Sequence, residues 1–138
     1  MAELNPTAPW AYAGLGLGYA LQGNFEQANA TAQKDAAEWA RLLIVAVARF
    51  GQHRVPESDA ALAQLTAKYD GTAAYQIAEV YAYRGERDQA FEWLERAYRQ
   101  RDGGLLGCQV DPLLANLRPD PRFAVFLHKL GLAPDQLK

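Results

Sequence analysis

The chain has 138 residues but only one cysteine, two histidines and one serine, and each scarcity closes off a kind of chemistry. A lone Cys108 cannot form an intramolecular disulfide. His53 and His128 lie 75 positions apart, with no second His or Cys at ligand spacing, so no metal is expected. Ser58 sits in no Gly-x-Ser-x-Gly elbow and has no base near it in sequence, and it reads as a residue close to a helix start. The run Gly14-Leu15-Gly16-Leu17-Gly18 is preceded by no β-branched strand and followed by no Gly-Lys-Ser/Thr. It reads as small residues for close helix packing rather than as a nucleotide loop. The acceptor pattern Asn29-Ala30-Thr31 reads as chance in a chain without a secretion signal. No cofactor and no catalytic constellation are expected, so the sequence reads as non-enzymatic.

Charge of one sign is also in short supply. With 14 Lys and Arg against 16 Asp and Glu, the net charge is −2, and no general field draws nucleic acid or an anionic membrane. The Arg-rich stretch Arg84 to Asp102 interleaves Glu86, Asp88, Glu92 and Glu95, with Glu92–Arg96 and Glu95–Arg99 at i,i+4, and reads as a solvated helix face. The longest uncharged stretch, residues 4–25, carries Asn, Thr, Gln, Pro and Gly and is too polar for a membrane span. Nothing near Met1 has the basic and apolar regions of a signal peptide, so a reducing, cytoplasmic setting is the expectation.

What is present is alanine, 26 times, and leucine, 18 times, against six Val and two Ile. Ala and Leu lose little side-chain entropy in a helix, so an all-α fold is expected. The chain also repeats itself. Tyr12, Leu15, Gly16, Tyr19, Gly23, Phe25 and Ala28 recur at the same offsets as Ala74, Ile77, Ala78, Tyr81, Gly85, Arg87 and Ala90, with Leu94 and Ala97 after them. Each set reads as a helix with an apolar stripe, a turn at the glycine, and a second helix offering Ala where the axes cross closely.

This pattern resembles the tetratricopeptide repeat (TPR). Tyr12, Leu15, Gly16, Tyr19 and Ala28 carry the resemblance in the first copy, and Ala78, Tyr81, Ala90, Leu94 and Ala97 in the third. Gly23 and Gly85 are 62 residues apart, short of two standard repeats, so a shortened middle repeat is expected, its turn centred on Gly51 or on His53. Helices are predicted over residues 9–22, 25–34, 37–50, 57–69 and 72–84, with Val55-Pro56 as a break, and the shortening is placed in 25–34. Asp102-Gly103-Gly104 ends a helix, and Asp111-Pro112 and Asp120-Pro121 open two more, over 112–116 and 121–130. The resemblance thus implies a single domain: antiparallel helical hairpins stacked as a short right-handed solenoid, with repeats at about 9–38, 39–70 and 71–104 and a capping unit at 105–133. Trp39 and Trp93 are expected in the core and Cys108 in a loop.

The ending Val110-Asp111-Pro112, Leu117-Arg118, Asp120-Pro121-Arg122-Phe123 and Leu130-Gly131-Leu132 is similar to the C-terminal TPR region of bacterial adenylate cyclase-type and winged-helix regulators. The resemblance implies a non-catalytic scaffold whose first helices line a concave groove for a protein segment. The alternative is a regulatory or oligomerisation domain of a larger signalling or transcription protein. The expected groove residues are Trp10, Ala13, Leu17, Arg41, Val45, Tyr75, Glu79 and Tyr83, with Ala48 beside them. The lining is apolar and aromatic, so the expected partner is an apolar or helical segment, from another protein or a second copy of this chain. The carboxylate-clamp members of the family place Lys and Asn where Ala13 and Leu17 stand, so capture of an acidic chaperone tail is not expected.

Overall fold

The computed structural model describes residues 12–136, all of whose regular structure is helical. The chain divides into two compact units between Asp70 and Gly71 in sequence. That division falls where the second predicted repeat ends.

Unit 1 contains α1 (Ala13–Leu21), α2 (Phe25–Ala32), α3 (Glu38–Gly51) and α4 (Val55–Tyr69). Unit 2 contains α5 (Ala74–Tyr83), α6 (Arg87–Gln100) and α7 (Pro121–Leu130), with 3-10 helices η1 (Gly103–Val110), η2 (Pro112–Leu117) and η3 (Pro134–Gln136). Three hairpins result: α1 packs on α2, α3 on α4, and α5 on α6. The part of the first predicted helix before Ala13 lies outside the described residues, apart from the turn at Tyr12.

The three hairpin turns share one backbone solution. In the first, Gly23 N donates to Ala20 O (3.0 Å) and Asn24 N to Tyr19 O (2.9 Å). In the third, Gly85 N donates to Ala82 O (3.0 Å) and Glu86 N to Tyr81 O (2.9 Å). The second turn repeats the pattern at His53, with His53 N to Phe50 O (2.9 Å) and Arg54 N to Arg49 O (2.8 Å). Each central residue is left-handed, with φ of 80° at Gly23, 64° at His53 and 79° at Gly85. These are helix C-caps in which the orphan carbonyls of the last turn are satisfied by the chain leaving it. The middle turn is therefore centred on His53, and Gly51 closes α3. His53 follows Gly23 by 30 residues and precedes Gly85 by 32. Helix α2 has 8 residues where α4 has 15 and α6 has 14.

Two expectations about helix ends are corrected. Val55-Pro56 is no break: it forms the first turn of α4, where proline's missing N–H would have no intrahelical acceptor. Helix α6 ends not on Gly103 but on Arg101, which takes φ 57° while Asp102 N donates to Ala97 O (2.9 Å). Gly103 and Gly104 open η1 instead, in a stretch expected to be loop. The acids before prolines cap as expected, Asp111 accepting from Leu113 N (2.9 Å) and Asp120 from Arg122 N (3.0 Å).

Alanines fill the close crossings. Ala28, Ala78, Ala90 and Ala97 have no exposed surface. The core of unit 1 is built on Leu43, Ile44, Val47, Leu62 and Leu65, and that of unit 2 on Ile77, Val80, Leu94, Leu114, Leu117, Phe123 and Phe126. Trp93 is in the core as expected, whereas Trp39 is only half-buried. Ser58, the fourth residue of α4, is fully buried and donates to Ala46 O across the hairpin (2.7 Å). Ser58→Ala removes this buried hydrogen bond while the Ala46 carbonyl keeps its helical donor, and urea unfolding is expected to report a loss of about 1 kcal/mol. A loss under about 0.3 kcal/mol would show that the bond adds little to the hairpin.

Candidate functional site

The residues expected to line a groove fall into different environments. Trp10 lies outside the described residues. In unit 1, Ala13 and Leu17 on α1 and Arg41 and Val45 on α3 are half-buried, while Ala48 is fully buried and belongs to the core. Arg41 and Val45 line a cleft of about 320 Å³, together with Leu42 of α3 and Ala60, Ala61 and Gln64 of α4. Glu38 and Glu57 stand at its edges. This is an apolar depression with a charged rim, of a size for one or two side chains of a docked segment.

Arg41 is aimed by an aspartate that sequence reading passed over. Asp35, in the link between α2 and α3, is buried, and its carboxylate accepts from Tyr12 N (2.9 Å) and Ala37 N (2.9 Å). Arg41 Nη1 donates to Asp35 O (2.7 Å), which holds the guanidinium over this link. One aspartate therefore ties the start of α1 to the start of α3. Unit 2 repeats the device: Asp102 accepts from Tyr75 N (3.1 Å) and Gly104 N (2.9 Å), tying the start of α5 to the start of η1. Helix α3 is fastened to the end of α4 by Glu38, which accepts from Lys68 (3.0 Å) and Tyr69 (3.0 Å). Those two hydrogen bonds hold the Glu38 carboxyl below its ordinary range. The sequence signal was faint: an acid two to three residues beyond each second helix, in segments with no periodicity of their own.

In unit 2, Tyr75 and Glu79 are not on an open surface. They are 4% and 7% exposed, buried where η1 and η2 pack on α5, and Tyr83 is half-buried farther along the helix. Tyr75 Oη donates to Asp111 Oδ2 (2.6 Å), and Glu79 is hydrogen-bonded to the same Asp111. Burial, foremost, and then Asp111 and Asp102 push the Glu79 carboxyl well above its ordinary value. Burial thus favours its neutral form. Burial likewise raises the Tyr75 hydroxyl, and it pushes the thiol of fully buried Cys108 up to about 11. Cys108 is thus a core residue of η1 and not a loop thiol, and at neutral pH it stays protonated.

The charged helix face also differs in detail from its i,i+4 reading. Glu95 pairs with Lys129 of α7 (2.5 Å), and Arg96 lies over the Trp93 ring at 4.0 Å. Arg122 of α7 bridges Asp88 (2.9 Å) and Asp120 (2.8 Å), and Arg122 holds the Asp120 carboxyl down at about 2. These pairs fasten α7 to α6.

Among the described residues, no group of three or more His, Cys, Asp and Glu is placed to hold a metal ion, and no helix is long and apolar enough to cross a membrane. Comparison of the chain with family models, with curated proteins and with solved structures finds no match.

Proposed function

We propose that the chain is a non-catalytic protein-binding scaffold of the tetratricopeptide kind, taking an apolar or helical protein segment on the exposed side of its first helices. The observation that supports this reading most is the repeated hairpin turn, with one pair of backbone hydrogen bonds at Gly23, His53 and Gly85. A chain that returns three times to one hairpin, with alanine at its close crossings, is organised as repeats rather than around one enclosed pocket. The surface of unit 1 that fits a ligand is the cleft at Arg41 and Val45. Its apolar floor suits a Leu- or Phe-sized anchor, and Arg41 with Glu38 and Glu57 gives a rim that orients polar flanks.

The test is selection of short amphipathic helical peptides against the full chain, followed by titration of the winners. Winners are expected to carry apolar residues at i, i+3 or i+4 and i+7, and to lose about tenfold or more in affinity on Val45→Asp. Leu17→Asp extends the test to α1. Absence of enriched peptides, or affinity untouched by both substitutions, would sink the reading. A mass that grows with concentration and reverts on Val45→Asp would make a second copy of this chain the partner.

A further inference from the structure

Helix α2 stops early, and a cleft opens beside its end. With 8 residues against 15 in α4, α2 is about 10 Å the shorter at 1.5 Å per residue. It packs on α3, and its C-cap Gln33 lines the cleft between α3 and α4. The floor there is Leu42 and Val45 of α3 with Ala60 and Ala61 of α4. Leu42 and Val45 are half-buried, so this apolar stripe of α3 is left partly open. The rest of α3 is packed against by helices α1, α2 and α4, and a helix is the form that fits the gap.

The charges around the cleft are unequally matched. Three charged side chains line it, Glu38, Glu57 and Arg41, and both acids have cations of their own. Glu38 pairs with Lys68 (3.0 Å) and accepts from the Tyr69 hydroxyl (3.0 Å). Glu57 lies 3.5 Å from Arg49 and 3.3 Å from Arg54. Arg41 differs: among the described residues it forms no ion pair, and its Nη1 donates to a neutral acceptor, Asp35 O (2.7 Å). The Asp35 carboxylate is turned instead to Tyr12 N and Ala37 N (both 2.9 Å). Glu38 stands one turn before Arg41, yet among the groups that hold its carboxyl down Lys68 comes first and Arg41 last. The bond to Asp35 O therefore aims the guanidinium while leaving it N–H donors and a charge to offer a ligand.

We propose that the α3–α4 cleft takes an amphipathic helical segment of another protein that carries an Asp or Glu one turn from its apolar anchor, with the anchor beside Val45 and the carboxylate on Arg41. This rests on the protein-binding reading above and adds the sign of the partner's charge. Arg41 and Val45 are themselves one turn apart on α3, so a helix lying along α3 brings an acid and an anchor of the same spacing opposite them. An aimed guanidinium is matched in shape and charge to a carboxylate, and an apolar floor beside it excludes the water that would weaken the pair.

The experiment selects helical peptides, varied freely in charge and anchor, against the full chain. Winners are expected to carry Asp or Glu three or four positions from an apolar anchor. One winner is then remade with Gln and with Lys in place of that acid. The Gln version is expected to bind about tenfold more weakly and the Lys version more weakly still, a gap that narrows as salt is added. In Arg41→Gln the three versions are expected to converge to within about twofold, and in Arg41→Glu the Lys version becomes the best binder. The peptide series and its salt dependence are read on the unsubstituted chain, so they decide the matter even if an Arg41 variant fails to fold.

Winners without an acid, or equal binding of the acidic and Lys versions, overturn the proposal. If those winners still lose affinity on Val45→Asp, the binding reading stands without it. An acid preference that survives Arg41→Gln but disappears in Arg54→Gln would place the carboxylate at the Glu57 side and also overturn it. A mass that grows with concentration and reverts when peptide is added would seat a second copy of this chain in the cleft, against the proposal. Failure to enrich any peptide removes both the proposal and the reading beneath it.

Discussion

Gly16→Leu is expected to lower the stability of unit 1 by about 3 kcal/mol in urea unfolding, while Gly14→Ala and Gly18→Ala each raise it by about 0.5–1 kcal/mol. The three glycines alternate along one nine-residue helix, and only the middle one is a contact. A Cβ on Gly16 would stand 2.7 Å from Ile44 Cδ1 and 3.1 Å from both Cγ atoms, whereas one on Gly14 or Gly18 would meet nothing within 4 Å. Ile44 is itself fully buried on α3, so it has no free volume into which to withdraw. Leucine at Gly16 must therefore separate α1 from α3. At Gly14 and Gly18 alanine only removes backbone freedom that the unfolded chain would otherwise keep. Equal effects from all three substitutions would show that glycine acts here through helix propensity alone and not through the α1–α3 crossing.

That contrast also shows what the sequence made legible. The repeat offsets placed Gly16 and Ala78 at equivalent positions as small residues, and both are buried at helix crossings. Gly23 and Gly85 announced their turns because a left-handed residue is most often glycine. His53 and Arg101 take the same conformation without the glycine signal, so the middle turn stayed ambiguous and the end of α6 was placed too late. Helix α7 was readable to the residue because Asp120-Pro121 starts it and Gly131 ends it. The acid ties at Asp35 and Asp102 were not readable, because each partner is a backbone N–H many residues away, and N–H groups carry no sequence identity. Tyr75 and Glu79 were assigned to an exposed face for a related reason. The periodicity of α5 shows which side packs on α6, but not that a Gly-rich segment some 30 residues later returns to cover the other side.

Buried Glu79 reverses the usual dependence of stability on pH. Most carboxylates that gain partners on folding have depressed values and add stability that disappears in acid. Glu79 is the opposite case: its folded value lies well above the 4.5 of the unfolded chain. Its favourable contribution is complete below about 4.5 and is lost as pH rises through the raised folded value. Unit 2 is therefore expected to unfold at higher urea at pH 5 than at pH 8. Glu38 in unit 1 has a lowered value, so its window lies below 4.5 and leaves unit 1 unaffected by Glu38 over the same range. Trp93 in α6 and Trp39 in α3 give each unit its own fluorescence reporter, in Trp10→Phe backgrounds that each keep one of the two. The Trp93 midpoint is expected to fall between pH 5 and pH 8, and Glu79→Gln to flatten it. A Trp93 midpoint that rises over this range would mean Glu79 is ionised in the folded chain.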